Sequence, residues 1–260
     1  MKRFFLGLKK YYPYIKRAAK CDLKSEVANS HLNWLWWILD PLFFMLVYIF
    51  IALIVFQRGE LYFPVFVFIG LTIWNFFSKN VSASVTLVRS NKSIVTKVYI
   101  PKYVLIIEKM FVNFFKMLIS FGLTALLMLI YQVPLSFHYI QLIPVLVVLV
   151  TVTFGVCTIL LHFGVFIEDL SNVVTIVLRL GLYLSGIFYS ITTRVPEPYN
   201  QYLLNFNPIA LCMDAARNSL LYQGSAHYLS LLIWMVLGVL LSIIGVNLIY
   251  KHENSYAKVI

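Results

Sequence analysis

Long apolar runs separated by short polar or basic interruptions dominate the chain. A helix rising 1.5 Å per residue needs about 20 mostly apolar residues to cross the hydrocarbon core of a bilayer. Six stretches approach that requirement: Trp34–Phe56, Tyr62–Phe77, Met110–Tyr131, Ile140–Ile167, Val173–Ile191 and Tyr228–Tyr250. The second is short as a pure apolar run and extends past Asn80 on a more permissive reading; the fourth is long enough to tilt. The pattern predicts an all-α integral membrane protein with six transmembrane helices. Residues 1–33 form an amphipathic segment ahead of a six-helix domain, 34–260. Within that domain the connections are short except at 80–109 and 192–227.

Those segments carry the less ordinary patterns. In the first, Pro13 is expected to break the chain. After it Ile15, Ala19, Leu23 and Val27 recur every four residues beside Lys16, Arg17, Lys20 and Lys24. Such a helix lies in the headgroup plane with its cations near anionic lipid. It leads into Trp34, Trp36 and Trp37, residues that anchor at the interface with the ring buried and the indole N–H wet. In 80–109, apolar residues interleave with Arg89, Lys92 and Lys97 until Pro101 and Lys102. This reads as a short helix presented to a cytoplasmic partner. In 192–227, Tyr199–Phe206 and Pro208–Leu221 read as two short external helices split by Asn207-Pro208. They are too short to span, which suggests a re-entrant or interfacial pair. Asp214, Arg217 and Asn218 fall on one side of the second helix; Ile209, Met213, Ala216 and Leu220 fall on the other.

Composition supports the membrane assignment, since 61% of residues are hydrophobic and 12% charged, against about 25% charged in soluble domains. The net charge of +11 would fit nucleic acid if it were spread over a surface, but it sorts by loop. Sixteen Lys and Arg fall on the side holding the N-terminal segment, the loop between spans two and three (with Lys79 at its start) and the C-terminal tail, against three (Arg58, Arg194, Arg217) on the other. By the positive-inside rule both termini face the cytoplasm, and nucleic acid is not an expected partner. The first apolar run begins near Trp34, too late for a cleavable signal, so it is expected to be retained. Three scattered cysteines, Cys21, Cys157 and Cys212, indicate neither a disulfide framework nor a zinc site.

Enzyme signatures are missing from the sequence. It contains no GxxxxGK[ST], no HExxH, no GxSxG and no paired Asp-rich motif for magnesium. No catalytic residue, metal or bound cofactor is therefore expected, and a conduit powered from elsewhere is favoured. Ionisable residues at bilayer depth are functional candidates. Arg179, midway along the fifth span, should face a cavity or partner helix. Asp40-Pro41 lines a vestibule or makes a kink, Lys116 snorkels, and His162 packs. Glu168-Asp169 occupies the turn between spans four and five.

The basic N-terminal helix, followed by Trp34-Leu35-Trp36-Trp37-Ile38-Leu39-Asp40-Pro41-Leu42 and Leu46-Val47-Tyr48-Ile49-Phe50, resembles the membrane subunit of ABC-type exporters of lipid-linked polysaccharide, the O-antigen and wall teichoic acid permeases. Ile100-Pro101-Lys102, Phe206-Asn207-Pro208-Ile209 and the closing Asn254–Ile260 extend the resemblance over nearly the whole chain. Two motifs depart from the family: Glu168-Asp169 stands where a basic residue usually precedes the Asp, and Ser185-Gly186-Ile187 where Ser-Pro-Ile is usual.

The resemblance implies a homodimer in the bacterial cytoplasmic (inner) membrane, working with two ABC ATPase subunits that bind ATP and magnesium. The cargo would be an undecaprenyl-linked glycan moved to the external face. It makes 80–109 a coupling loop, with Arg89, Lys92, Lys97, Pro101, Lys102, Glu168 and Asp169 as candidate ATPase contacts. The external helices become a gate, with Asn207, Pro208, Asp214 and Arg217 as its candidates. Trp34, Trp36, Trp37, Tyr48 and Tyr183 are the aromatic candidates for the glycan path, and Asp40 and Arg179 its charged ones. The same topology admits an exporter of a drug or small lipid. A membrane enzyme acting on a polyprenyl lipid is the third class, and would need an essential residue among Asp40, His162, Glu168 and Asp169.

Overall fold

In the computed structural model, residues 2–28, 33–51, 60–134, 136–225 and 227–259 are described, and every regular element among them is helical. In order these are α1 (Lys2–Ala28), α2 (Trp36–Ile49), α3 (Phe63–Ser90), α4 (Lys92–Val95), α5 (Lys102–Ile130), α6 (Leu142–Phe166), α7 (Leu170–Leu184), α8 (Ile191–Arg194), α9 (Tyr199–Phe206), α10 (Pro208–Leu220) and α11 (Tyr228–Val259). Four are long and apolar enough to cross a membrane: α3, α5, α6 with the 3-10 turn before it, and α11. The other two expected spans are shorter. α2 has 14 residues and α7 has 15, about 21–23 Å of helix against a core of ~30 Å. Phe50 and Ile51 continue α2 as a π turn, and the rest of that expected span, 52–56, lies outside the described residues, as does Arg58.

Three expectations change on contact with the structure. Pro13 does not break α1, which runs unbroken through it. Pro13 and Lys9 are both exposed, so the Lys9 carbonyl that loses its helix donor is hydrated rather than orphaned. The 80–109 loop is largely helix, because α3 continues to Ser90. Its interior polar residues bond to their own helix: Asn80 Nδ2 to the Phe76 carbonyl at 2.7 Å and Ser84 Oγ to that of Val81 at 2.8 Å. They therefore enter the packed interior without breaking it, and the true loop shrinks to 91–101, which includes the one-turn α4. The fifth span ends at Leu184 instead of Ile191. Gly186 there takes φ +68°, a left-handed conformation that favours glycine and stops the helix.

α3 is the spine, packing against α2, α5, α6, α7 and α10. In lipid, apolar area gives little drive for one helix to leave the chains for another, so close backbone approach and interhelical hydrogen bonds do the holding. At Gly164 of α6, an added Cβ would lie 2.2 Å from the Val85 carbonyl oxygen of α3. Gly155 of α6 and Gly238 of α11 bring those two helices together in the same way. Asn113 Nδ2 on α5 donates to Asn80 Oδ1 on α3 at 2.9 Å. α1 lies along α5 with Ile15 and Ala19 buried, its cations outward, as its four-residue periodicity requires. His162 is buried and bonds Tyr256 Oη at 2.8 Å through Nδ1.

Candidate functional site

At the end of the bundle where α3 gives way to α5, the residues around 91–101 form one connected cluster. Pro101 is the N-cap of α5 and puts Lys102 in its first turn, where the side chain is only 4% exposed. Its ammonium lies 3.9 Å from Glu253 on α11, itself 7% exposed. Tyr99 Oη donates to the other oxygen of Glu253 at 3.0 Å and accepts from Arg3 of α1 at 3.4 Å. The loop is thereby tied to α1, α5 and α11 at a single carboxylate. A second tie runs to the α6–α7 turn: Arg89 donates to the Val165 carbonyl at 3.1 Å and pairs with Glu168 at 3.5 Å.

Of the coupling candidates, Arg89 thus meets Glu168, Lys102 meets Glu253 of the C-terminal helix, and Pro101 starts α5. Lys92, Lys97 and Asp169 are exposed on the same end, together with Ile94, Val98 and Tyr99. The surface mixes cations with apolar side chains. Sequence reasoning passed over Glu253 because a lone acid in a basic tail carries no periodic signal. Tyr99 had no signal either.

At the opposite end the chain builds a buried polar hub. α10 is buried over nearly its whole circumference, Asp214 and Arg217 included, so the two-sided surface expected for it is not found. Arg217 is 3% exposed. Its Nη1 and Nη2 donate to the Gly186 and Ile187 carbonyls, each at 2.8 Å, and Nε to the Phe66 carbonyl at 3.2 Å. The guanidinium also stacks 3.5 Å from the centre of the Phe66 ring. Asn207 caps α10, its Oδ1 accepting from the Ile209 and Ala210 amides at 3.0 and 3.2 Å. Its Nδ2 donates to Ser185 Oγ at 3.0 Å, and Pro208 follows as the first helical residue. Asn207 and Arg217 therefore grip opposite ends of the Ser185-Gly186-Ile187 break. The motif that departs from the family pattern is where these external candidates converge. Asp214 bonds Asn218 at 3.0 Å and lies 3.5 Å from His227.

The structure separates the path candidates into two groups. Trp36, Trp37 and Asp40 line a cavity between α1, α2, α3 and α5, with Asp40 3.9 Å from Lys79. Tyr48 instead stacks on Phe188 at 3.5 Å, and Tyr183 and Arg179 are exposed on α7. There they accompany Val173, Ile176, Val177, Leu180 and Leu184, and only Val174 of α7 is buried. α2 likewise exposes Phe43, Phe44 and Val47. Trp34 is exposed and lies in neither group. Lys116 pairs with Glu26 of α1. Among the described residues no three His, Cys, Asp or Glu are placed to hold a metal.

Comparison with known proteins gives concordant results. The family model described as ABC-2 type transporter matches residues 15–221. An O-antigen export system permease protein RfbA from Klebsiella pneumoniae is 25% identical over 240 residues, covering 92% of each chain. The protein of the same name from Myxococcus xanthus is 27% identical over 194 residues, 75% of each chain.

Proposed function

Because the chain belongs to the ABC-2 type transporter family and is a permease component, we propose that it is one half of a bacterial exporter of lipid-linked envelope polysaccharide. Two copies enclose the path, and two separate ATPase subunits dock on the cytoplasmic end around Lys92–Lys97 and Glu168-Asp169. ATP and magnesium are bound by those subunits. Both termini lie in the cytoplasm, and the undecaprenyl-linked glycan enters from the cytoplasmic leaflet of the inner membrane.

The observation that carries this reading is the bare face of α7, matched by a similarly exposed α2. A helix with one buried residue among 15 that displays Arg179 and Tyr183 amid apolar side chains is built to meet something outside its own chain. An arginine at that depth needs an anionic or hydrated neighbour, and guanidinium binds phosphate oxygens bidentately. Aromatic faces suit sugar rings. The relatives, which are O-antigen export permeases by name, suggest the cargo class.

Depletion of the chain in its host, with extraction of lipid-linked glycans, tests the reading directly. Accumulation of an undecaprenyl-linked polymer is expected. Unchanged envelope glycan with altered drug sensitivity would replace it with a drug or small-lipid exporter. Failure of any ATPase to co-purify would remove the transporter reading altogether.

A further inference from the structure

The cavity flanked by the end of α1, the start of α2 and the facing sides of α3 and α5 encloses about 290 Å³. That is room for about ten waters at ~30 Å³ each, so it holds more than a bridging solvent molecule. Four charged side chains line it, Glu26, Asp40, Lys79 and Lys116, with Trp37 beside them and Asn75 further along α3. The depth of the charges follows from helix length. α3 has 28 residues, about 42 Å, and overhangs a core of ~30 Å by about 12 Å. Lys79 lies eleven residues from its cytoplasmic end, about 16 Å. With the overhang on that side it falls where headgroups meet acyl chains.

The charges balance, two of each sign. Lys79 and Asp40 are 3.9 Å apart, with both side chains 53% exposed. That is a loose pair, and exposed pairs of this kind contribute about 0–1 kcal/mol. Lys116 hydrogen-bonds Glu26 and stands 5.5 Å over the Trp37 ring. A purely anionic ligand would have to draw the lysines from their carboxylates and leave those beside its own charge. A purely cationic one would strand the lysines. A group carrying both signs a few ångströms apart exchanges with the loose pair and leaves neither sign uncompensated. Its phosphate would lie between Lys79 and Lys116, and its ammonium against Asp40 and the indole face.

We propose that this cavity binds the headgroup of a zwitterionic phospholipid of the cytoplasmic leaflet, a phosphate joined to a primary ammonium as in phosphatidylethanolamine. The bound lipid braces α1 against α2, α3 and α5. The site lies apart from the outward face of α7, and the proposal does not depend on what is exported.

Native mass spectrometry of the purified chain tests it, after incubation with equimolar phosphatidylethanolamine, phosphatidylglycerol and phosphatidylcholine of identical chains. Phosphatidylethanolamine should be retained about fivefold over either competitor. Asp40→Asn should shift retention toward phosphatidylglycerol, and Lys79→Gln should weaken retention of both. Equal retention of the three lipids, or an Asp40→Asn variant with an unchanged ratio, overturns the proposal. In the unaltered chain, phosphatidylethanolamine with brominated chains should quench tryptophan fluorescence more than brominated phosphatidylglycerol; equal quenching likewise overturns it. Soluble phosphoethanolamine should not displace the lipid, and displacement at equimolar concentration would remove the bilayer as the ligand's source and overturn the proposal as stated.

Discussion

Replacing Arg217 by methionine keeps most of its length and removes its five donors. The guanidinium makes three hydrogen bonds to carbonyls, two of them to Gly186 and Ile187 at the α7 break. Phe66 lies inside α3, so its carbonyl retains a helix partner. The carbonyls of Gly186 and Ile187 follow the end of α7, and each costs about 1–3 kcal/mol if left buried and unmet. Loss of the contact with the Phe66 ring adds about 0.5–2 kcal/mol. Against these stands the relief of no longer burying a cation, which offsets part of the loss. The net expectation is a destabilisation of about 2–5 kcal/mol. At about 2–4 °C per kcal/mol for a chain of this size, Tm should fall by roughly 5–15 °C in detergent.

The loss should also be local. Amide exchange ought to accelerate at 184–190 and in α10 before it does in α6 or α11. Arg217→Lys, with a single donor centre, should lie between methionine and the parent. Gly70 supplies an independent approach, since a Cβ there would lie 2.5 Å from Arg217 Nη2. Gly70→Ala should reproduce part of the effect, and the two changes together should be far from additive because they act on one contact. An Arg217→Met variant that melts at or above the parent, with unchanged exchange at 184–190, would refute the assignment of Arg217 as the clamp on this break.

At the other end, Glu253→Ala leaves Lys102 as an unpaired buried cation and should cost about 3–5 kcal/mol; adding Lys102→Met should restore most of it, and a double variant no better than the single would discard the latch. Gly164→Ala drives a Cβ into the backbone of Val85 and should cost about 1–3 kcal/mol, read as a lower Tm; a neutral result would mean that α3 and α6 can separate at no cost. The hydrogen bond to Asp214 raises the His227 pKa, with burial opposing it. The pairing is therefore fully present below the ordinary value of about 6.5 and is lost as pH rises through the raised one. As His227 is half exposed, the effect is under about 1 kcal/mol; amide exchange at 221–227 should quicken on passing from pH 6 to pH 8.5, and His227→Gln should abolish the difference.

What the sequence revealed and what it hid follow from the range of the interactions. Apolar runs and four-residue periodicity are local, so the four long spans, the basic face of α1 and the paired helices on either side of Asn207-Pro208 were all legible. The end of the fifth span was not, because Val173–Ile191 reads as continuous apolar helix while Gly186 stops it by backbone conformation. Asn80 and Ser84 misled in the opposite direction: polar residues read as loop, yet they bond back to their own helix and pack inside. Among site residues, Arg89 and Glu168 stood out as charges near turns. Glu253 lies 151 positions from Lys102 and meets it only through the fold, so no spacing rule connects them.

α7 shows how the two ends act on the bare face between them. At its N-terminal end Glu168, just before the helix, is held by Arg89. At its C-terminal end the carbonyls of Gly186 and Ile187, just beyond the helix, are held by Arg217. Between these clamps only Val174 is buried. Along its length α7 meets α3, where the Trp74 ring lies against Gly181, and a displacement of the Ser90 end of α3 would reach Glu168 through Arg89. The charges of this chain therefore serve two purposes. Buried charges such as Arg217, Lys102 and Glu253 fix the frame, and the exposed Arg179 is carried on a helix that buries a single residue.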